Sequence, residues 1–170
     1  MKTTASTTTS RTELLDSLLH SNVKRMILGA LSGVLAGCVM LLVTSIVTPE
    51  GHGKLWWLQV VASVCFGGQS SAYDAPNSIL IVGAIYHFAI CAFLGFIFGK
   101  ITTSRCLKRL AGYGLVLGGL CWLASNMFAV DIFDIHAMVA FKQWTRMLVF
   151  QSFTLSLAAF MSITSSVLDA

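Results

Sequence analysis

Residues 79–99 have the sequence ILIVGAIYHFAICAFLGFIFG, which holds no formal charge and a single histidine, His87. An α-helix of this length would be about 31 Å long, close to the thickness of the hydrocarbon core of a bilayer. The stretch is therefore predicted to span a membrane. The small side chains and the imidazole share one face, because they recur every four residues, at Gly83, His87, Cys91, Gly95 and Gly99. We expect this face to point toward another helix rather than toward lipid.

The overall composition agrees with a membrane location. The 170 residues are 56% hydrophobic and 11% charged, with a mean hydropathy of +0.80, whereas soluble domains have about 25% charged residues. The apolar segments leave only a tail and short loops outside the bilayer, so we predict one membrane domain and no separate soluble core. Five cysteines include no CxxC pair. They are interpreted as small apolar residues rather than as a disulfide or thiol-exchange framework.

The amino-terminal residues 1–25 are predicted to form a cytoplasmic polar tail, and residues 26–170 the membrane domain. Ser10 and Glu13 have the S-x-x-E spacing of a capping box, and the leucines that follow fall on one side of a short amphipathic helix that ends near residue 25. A cleavable transit peptide is the alternative, although acidic residues such as Asp16 are unusual in one.

Four segments are predicted to cross the bilayer, at about residues 26–47, 79–99, 110–130 and 147–168. The first contains Gly29, Gly33 and Gly37, which form two consecutive G-x-x-x-G units. Gly114 and Gly118 repeat this spacing in the third. Glycines at this interval favour close packing of membrane helices, so we expect these positions and those of residues 79–99 to form helix contacts.

A lipoprotein-like signal overlaps the first span. Lys24 and Arg25 precede an apolar run that ends in Leu35, Ala36, Gly37 and Cys38, an order that imitates a bacterial signal with a lipidated cysteine. The apolar run nevertheless continues through Val47, beyond the length of a signal-peptide apolar region. We therefore expect a retained helix and no lipidation of Cys38.

A shorter apolar segment follows the first span. Leu55 to Phe66 reads LWWLQVVASVCF, which at twelve residues is too short to cross a bilayer. Trp56 and Trp57 at its start are typical of an interfacial anchor, so we predict a short interfacial or re-entrant helix. The alternative is a longer, tilted span that reaches Tyr73.

The distribution of basic residues predicts the orientation. The tail and the loop at 100–109 carry eight of the eleven Lys and Arg residues, and the opposite side carries Lys54, Lys142 and Arg146. Positive charge favours the cytoplasmic side, so both termini are predicted to be cytoplasmic. Short loops between successive spans favour an all-α, antiparallel up-down-up-down four-helix bundle.

The layout resembles the small bacterial inner-membrane proteins of the YagU-like kind. The similar features cover residues 26–130: the glycine-stepped first helix, the Trp-containing segment, the stretch YHFAICAFLGFIFG around His87, and AGYG at Ala111 to Gly114. The resemblance implies a bacterial inner membrane location and this fold rather than an activity. Relatives often have a histidine in the last helix, where Gln151 stands here.

Candidate ligand-binding residues are the polar side chains in or next to the spans, namely Gln59, His87, Asn126 and Gln151. One interpretation is that they form hydrogen bonds between helices. The other is that His87, Asn126 and Gln151 face one another in a polar vestibule that opens outward and binds a small molecule, a metal or a quinone head group.

Metal binding in the loops is a weaker hypothesis. Imidazole and carboxylate groups suit zinc or copper, but the candidates come from separate loops without ligand-type spacing, at His52, Asp131, Asp134 and His136. We expect solvated loop residues there and no cofactor. No serine, cysteine or histidine is placed with an acid for nucleophilic catalysis, and every Asp and Glu lies outside the spans, so we do not predict an enzyme.

The sequence predicts two alternative functions. The first is a structural or accessory component of a larger membrane complex or homo-oligomer, assembled through the glycine faces in the lipid bilayer. The second is a small-molecule binding or permeation protein that uses the outer vestibule. Nucleic acid is not an expected partner, because the basic residues that produce the net charge of +4 mostly flank the spans on one side.

Overall fold

The computed structural model describes the chain at residues 5–66, 76–102, 106–128 and 142–167, with side chains from residue 22 onward. These residues form five α-helices and no β-strand. The helices are α1 Ala5–Val47, α2 Trp56–Phe66, α3 Asn77–Ile101, α4 Leu107–Phe128 and α5 Gln143–Val167. The prediction of an all-α protein is confirmed for this part of the chain.

Four of the helices are long and apolar enough to cross a membrane: Asn22–Val47, Asn77–Ile101, Leu107–Met127 and Gln143–Ser166. α2, at eleven residues, is shorter than a span. The chain is thus a small helical membrane protein with four helices of spanning length, as the sequence predicted.

Helix boundaries differ most from those predicted at the starts of three helices. α1 runs without a break from Ala5 to Val47, so the short tail helix expected to end near residue 25 is instead the first part of α1. No glycine or proline occurs before Gly29 to interrupt it. α4 begins at Leu107 instead of residue 110, and α5 begins at Gln143 instead of residue 147. Trp144 is therefore in the first turn of α5.

The helices pack in a defined set of pairs. α1 contacts both α3 and α5, α5 also contacts α4, and α2 lies mainly against α3. On α1 and α3 the contacts proceed in opposite directions, since Gly29 meets Gly95 and Gly99 whereas Gly37 meets Cys91. The buried core lies along α5 and the neighbouring faces of the other helices, with Ala36, Met40, Leu110, Phe153 and Leu157 among its members.

α2 is buried more completely than predicted. Its residues from Trp56 to Ser63 are all buried, and the indoles of Trp56 and Trp57 are only 3% and 4% exposed. Both tryptophans thus pack against other parts of the protein, and their role as anchors at a membrane interface stays a prediction. Each has a ring or hydrogen-bonding neighbour within the fold. The alternative span reaching Tyr73 lies partly outside the described residues.

Candidate functional site

α1 and α3 approach each other closely along a glycine spine, formed by Gly29 and Gly33 of α1 with Gly95 and Gly99 of α3. A Cβ atom added at Gly29 would collide with the carbonyl oxygen of Gly95, and one added at Gly33 with the carbonyl oxygen of Cys91. Both obstacles are backbone atoms, which cannot move without separating the helices. Side chains of any size are therefore excluded along this contact, which is how small residues let membrane helices approach closely.

Gly83 performs the same function between α3 and α2. A Cβ atom added there would lie 2.7 Å from the carbonyl carbon of Leu58, so only glycine lets the first turn of α2 lie on α3. This contact brings Trp57, the neighbour of Leu58, within hydrogen-bonding distance of His87, one helical turn beyond Gly83.

His87 lies at the junction of three helices and is 2% exposed. Its Nε2 atom is 3.1 Å from the carbonyl oxygen of Gly37 in α1, and the indole N–H of Trp57 in α2 donates to its Nδ1 atom at 3.3 Å. An imidazole that accepts at Nδ1 and donates at Nε2 is the neutral Nε2–H tautomer. Both ring nitrogens are therefore used inside the protein. We call this group, with Cys91 whose Sγ lies 3.8 Å from Nε2, the His87 junction.

Gln151 and Asn126 lie elsewhere. The side-chain amide of Gln151 donates from α5 to the carbonyl oxygen of Leu115 in α4, at 3.2 Å. Asn126 donates to Trp122 in its own helix, at 2.8 Å. α3 packs mainly on α1 and α2, whereas α4 packs mainly on α5.

Among the described residues, His87, Asn126 and Gln151 make no hydrogen bond to one another, and their grouping in one site stays a prediction. Each side chain binds a nearby backbone carbonyl group, an acceptor that is available on every helix, while Oε1 of Gln151 has no hydrogen-bond partner among the described residues. His87 and Gln151 form hydrogen bonds between helices, as one of the two interpretations expects, whereas Asn126 bonds within its own helix.

The contact between α4 and α5 also depends on glycine. A Cβ atom added at Gly114 would lie 2.8 Å from the carbonyl oxygen of Thr154, and one at Gly118 would lie 2.6 Å from the hydroxyl oxygen of Thr154 and 2.8 Å from Oε1 of Gln151. Gly118 thus provides the space that the Gln151 amide occupies. This second glycine contact lies between different helices from the glycine spine.

Gln59 lines an open cavity of about 410 Å³ at the start of α2, together with His52, Lys54 and Leu80. The ring of His52 stacks on Trp56, with 4.0 Å between ring centroids and 17° between planes. Within the described residues no three His, Cys, Asp or Glu side chains could hold a metal together. The other predicted loop candidates, Asp131, Asp134 and His136, lie outside these residues.

An apolar cavity of about 150 Å³ adjoins the His87 junction and was not foreseen from the sequence. Side chains of α1, α2, α3 and α5 line it, among them Met40, Val61, Val64, His87, Ile90 and Phe153. Trp57 also contributes, and its ring meets Phe150 edge to face at a centroid distance of 6.5 Å. No motif encodes such a cavity, because it is the space left between four helices that are distant in sequence.

Arg146 is a second feature that the sequence did not reveal. The residue was counted among the solvent-side basic residues, yet it is only 8% exposed, and its Nε atom has no hydrogen-bond partner among the described residues. Its position in the first turns of α5 rather than in a loop explains the burial.

Comparison with known proteins provides no relative: no protein-family model, curated protein or solved structure matches this chain. The resemblance to YagU-like proteins stays a prediction.

Proposed function

We propose that the protein is a structural or accessory component of a membrane complex and has no catalytic role. The observation that carries this proposal is the outer face of α4. A Cβ atom added at Gly112 or Gly119 would meet no atom within 4 Å, and Val116 and Leu123 on the same face are 64% and 47% exposed. This face has the small and branched residues of a helix-packing surface but no neighbour among the described residues.

The proposed partner is a transmembrane helix of another protein or of a second copy of this chain. Close approach of backbones and van der Waals packing drive helix association in lipid, where a hydrophobic driving force between helices is absent. Gly112 and Gly119 would let a partner helix approach α4 as closely as α3 approaches α1 at the glycine spine.

Gly119→Ile is expected to abolish binding of that partner without unfolding the protein. The new side chain would extend into open space next to α4, so it would not disturb the fold, but it would fill the groove that a partner helix needs for close approach. The tagged full-length protein is purified in mild detergent, and co-purifying proteins and the oligomeric state are measured. Ala124→Ile, at an exposed small residue on another side of α4, is the matched control and should keep the partner. Equal partner recovery from both variants, or no stoichiometric partner and no oligomer in the wild type, would contradict the proposal.

We further propose the topology of the bundle: an up-down-up-down arrangement in a bacterial inner membrane, both termini cytoplasmic, with α2 as an interfacial or re-entrant helix. The eight-to-three division of basic residues supports the orientation. The opposed directions of contact along α1 and α3 support the antiparallel arrangement.

Reporter fusions test this topology. Fusions after Lys100 and after Ala170 are expected to report the cytoplasm, and a fusion after Gly53, between α1 and α2, is expected to report the outside. Enzymatic reporters that are active on only one side of the membrane make the measurement. A periplasmic signal from either of the first two fusions would refute the proposed orientation.

Small-molecule binding is the second candidate function, and the apolar cavity beside His87 is the observation that favours it. A metal ion or a quinone head group would have to displace one of the two hydrogen bonds that His87 makes with Trp57 and Gly37. A ligand without polar groups would need no such displacement.

A further inference from the structure

We propose that the apolar cavity binds one hydrocarbon chain of a membrane phospholipid. This inference goes beyond the structural role proposed above and concerns a different part of the molecule, since the cavity lies between α1, α2, α3 and α5 whereas the proposed partner surface lies on α4.

The chemistry of the lining selects an apolar occupant. Its walls are mostly aliphatic, aromatic and thioether side chains, with His87 and the thiol of Cys91 as the ionisable groups. The hydrogen bonds of His87 to Gly37 and Trp57 use both of its ring nitrogens. The cavity therefore has no imidazole nitrogen available for a polar ligand, and a head group that entered it would lose its own hydrogen bonds without replacement.

The size of the cavity suits part of an acyl chain. A volume of about 150 Å³ is that of an apolar cavity that stays dry and binds benzene in another protein, so it accommodates about six carbon atoms. An empty apolar cavity leaves its walls without van der Waals partners, whereas a flexible hydrocarbon chain would supply them.

The position of the cavity gives a chain access from the bilayer. Val64 of α2 and Ile90 of α3 line the cavity and are also 39% and 47% exposed on the outer surface, so they mark its mouth. His87 is ten residues, about 15 Å, from the start of α3. At this depth in a spanning helix the surroundings are acyl chains rather than head groups. Phospholipid chains are also the most concentrated apolar ligand there, which favours occupancy even at weak affinity.

Photolabelling of the full-length protein tests the proposal. The protein is reconstituted in vesicles of phosphatidylethanolamine and phosphatidylglycerol that contain a small fraction of phospholipid with a diazirine in the middle of one chain. After irradiation, labelled residues are identified by peptide mass spectrometry. We expect labelling of Val60, Val61 and Leu94, which line the cavity, to saturate as the fraction of photoreactive lipid rises, while labelling of the exposed surface of α4 rises in proportion.

Two valine variants provide the comparison. Val64→Trp fills the mouth and is expected to lower labelling of the cavity residues about fivefold or more, because the chain loses its binding space. Val116→Trp, at an exposed valine of α4, should leave it unchanged. Non-saturable labelling in the wild type, or unchanged cavity labelling in folded Val64→Trp, would overturn the proposal. If Val64→Trp does not fold, the presence or absence of saturable labelling at the cavity residues of the wild-type protein supports or overturns the proposal. Displacement of the label by an isoprenoid but not by unlabelled phospholipid would also overturn it.

Discussion

Gly33→Ala is expected to lower the free energy of unfolding by about 2 kcal/mol, the usual cost of forcing an extra carbon atom into a well-packed interior. The added methyl group would collide with the backbone carbonyl oxygen of Cys91, so relief requires α1 and α3 to move apart. Such a movement also weakens the neighbouring contacts of Gly29 with Gly95 and of Gly37 with Cys91.

The same substitution at Gly112 is expected to have no destabilising effect on the free energy of unfolding. Gly112 lies inside α4, and a Cβ atom there meets nothing within 4 Å. Alanine is favoured over glycine in a helix interior by up to about 1 kcal/mol, so Gly112→Ala should leave stability unchanged or raise it. The difference between the two variants isolates the cost of helix contact from the intrinsic preference for alanine.

Unfolding in mild detergent, followed by circular dichroism with heat or denaturant, measures both variants, and size-exclusion chromatography shows whether the folded protein remains dispersed. A Gly33→Ala variant as stable as Gly112→Ala would show that α1 and α3 do not approach through the glycine spine.

The second large effect is expected at the His87 junction. His87→Leu removes the acceptor of the Trp57 indole N–H and the partner of the Gly37 carbonyl group. The variant should lower the free energy of unfolding by about 2 kcal/mol, because buried polar groups that lose their hydrogen-bond partner destabilise the folded state. Trp57→Phe should cost less, since it removes the donor and keeps an aromatic ring. Because both changes break the same bond, the double variant should lose clearly less than the sum, with a coupling of at least about 0.5 kcal/mol.

His87→Leu combined with Gln151→Leu is the control cycle. Gln151 binds Leu115 at the contact of α4 with α5, and shares no hydrogen bond with His87, so these two effects should add within about 0.5 kcal/mol. The polar vestibule considered from the sequence would require the reverse pattern, with His87 coupled to Gln151. Unfolding free energies of the singles and doubles in detergent therefore discriminate between the two arrangements. Additivity of His87 with Trp57 would refute the junction.

Much of the architecture can be read from local sequence. A bilayer requires about twenty apolar residues per helix and paired backbone groups throughout, so residues 79–99 could be assigned to a spanning helix without knowledge of any neighbour. The intervals of four residues between Gly29, Gly33 and Gly37 are likewise visible, because helical periodicity puts them on one face.

Helix boundaries were less predictable. Residues on both sides of position 25 are compatible with a helix, and hydropathy changes there while backbone conformation does not. The tail segment was therefore separated from the first span, although α1 is continuous from Ala5 to Val47. Hydropathy reports where a helix can enter a bilayer rather than where the helix begins.

Tertiary structure alone decided the partners of the polar side chains. From the sequence, Trp57 could serve equally well as an interfacial anchor or as a buried hydrogen-bond donor. In the structure, Gly83 lets α2 lie on α3, and this contact brings the indole N–H to His87. Asn126 can bind across helices or within its own, and in the structure it binds the carbonyl oxygen of Trp122 in its own helix. The apolar cavity depends on four helices at once. These features depend on the relative position of helices that are far apart in the chain. Apolar length and glycine spacing, in contrast, are properties of a single helix and can therefore be predicted from its sequence.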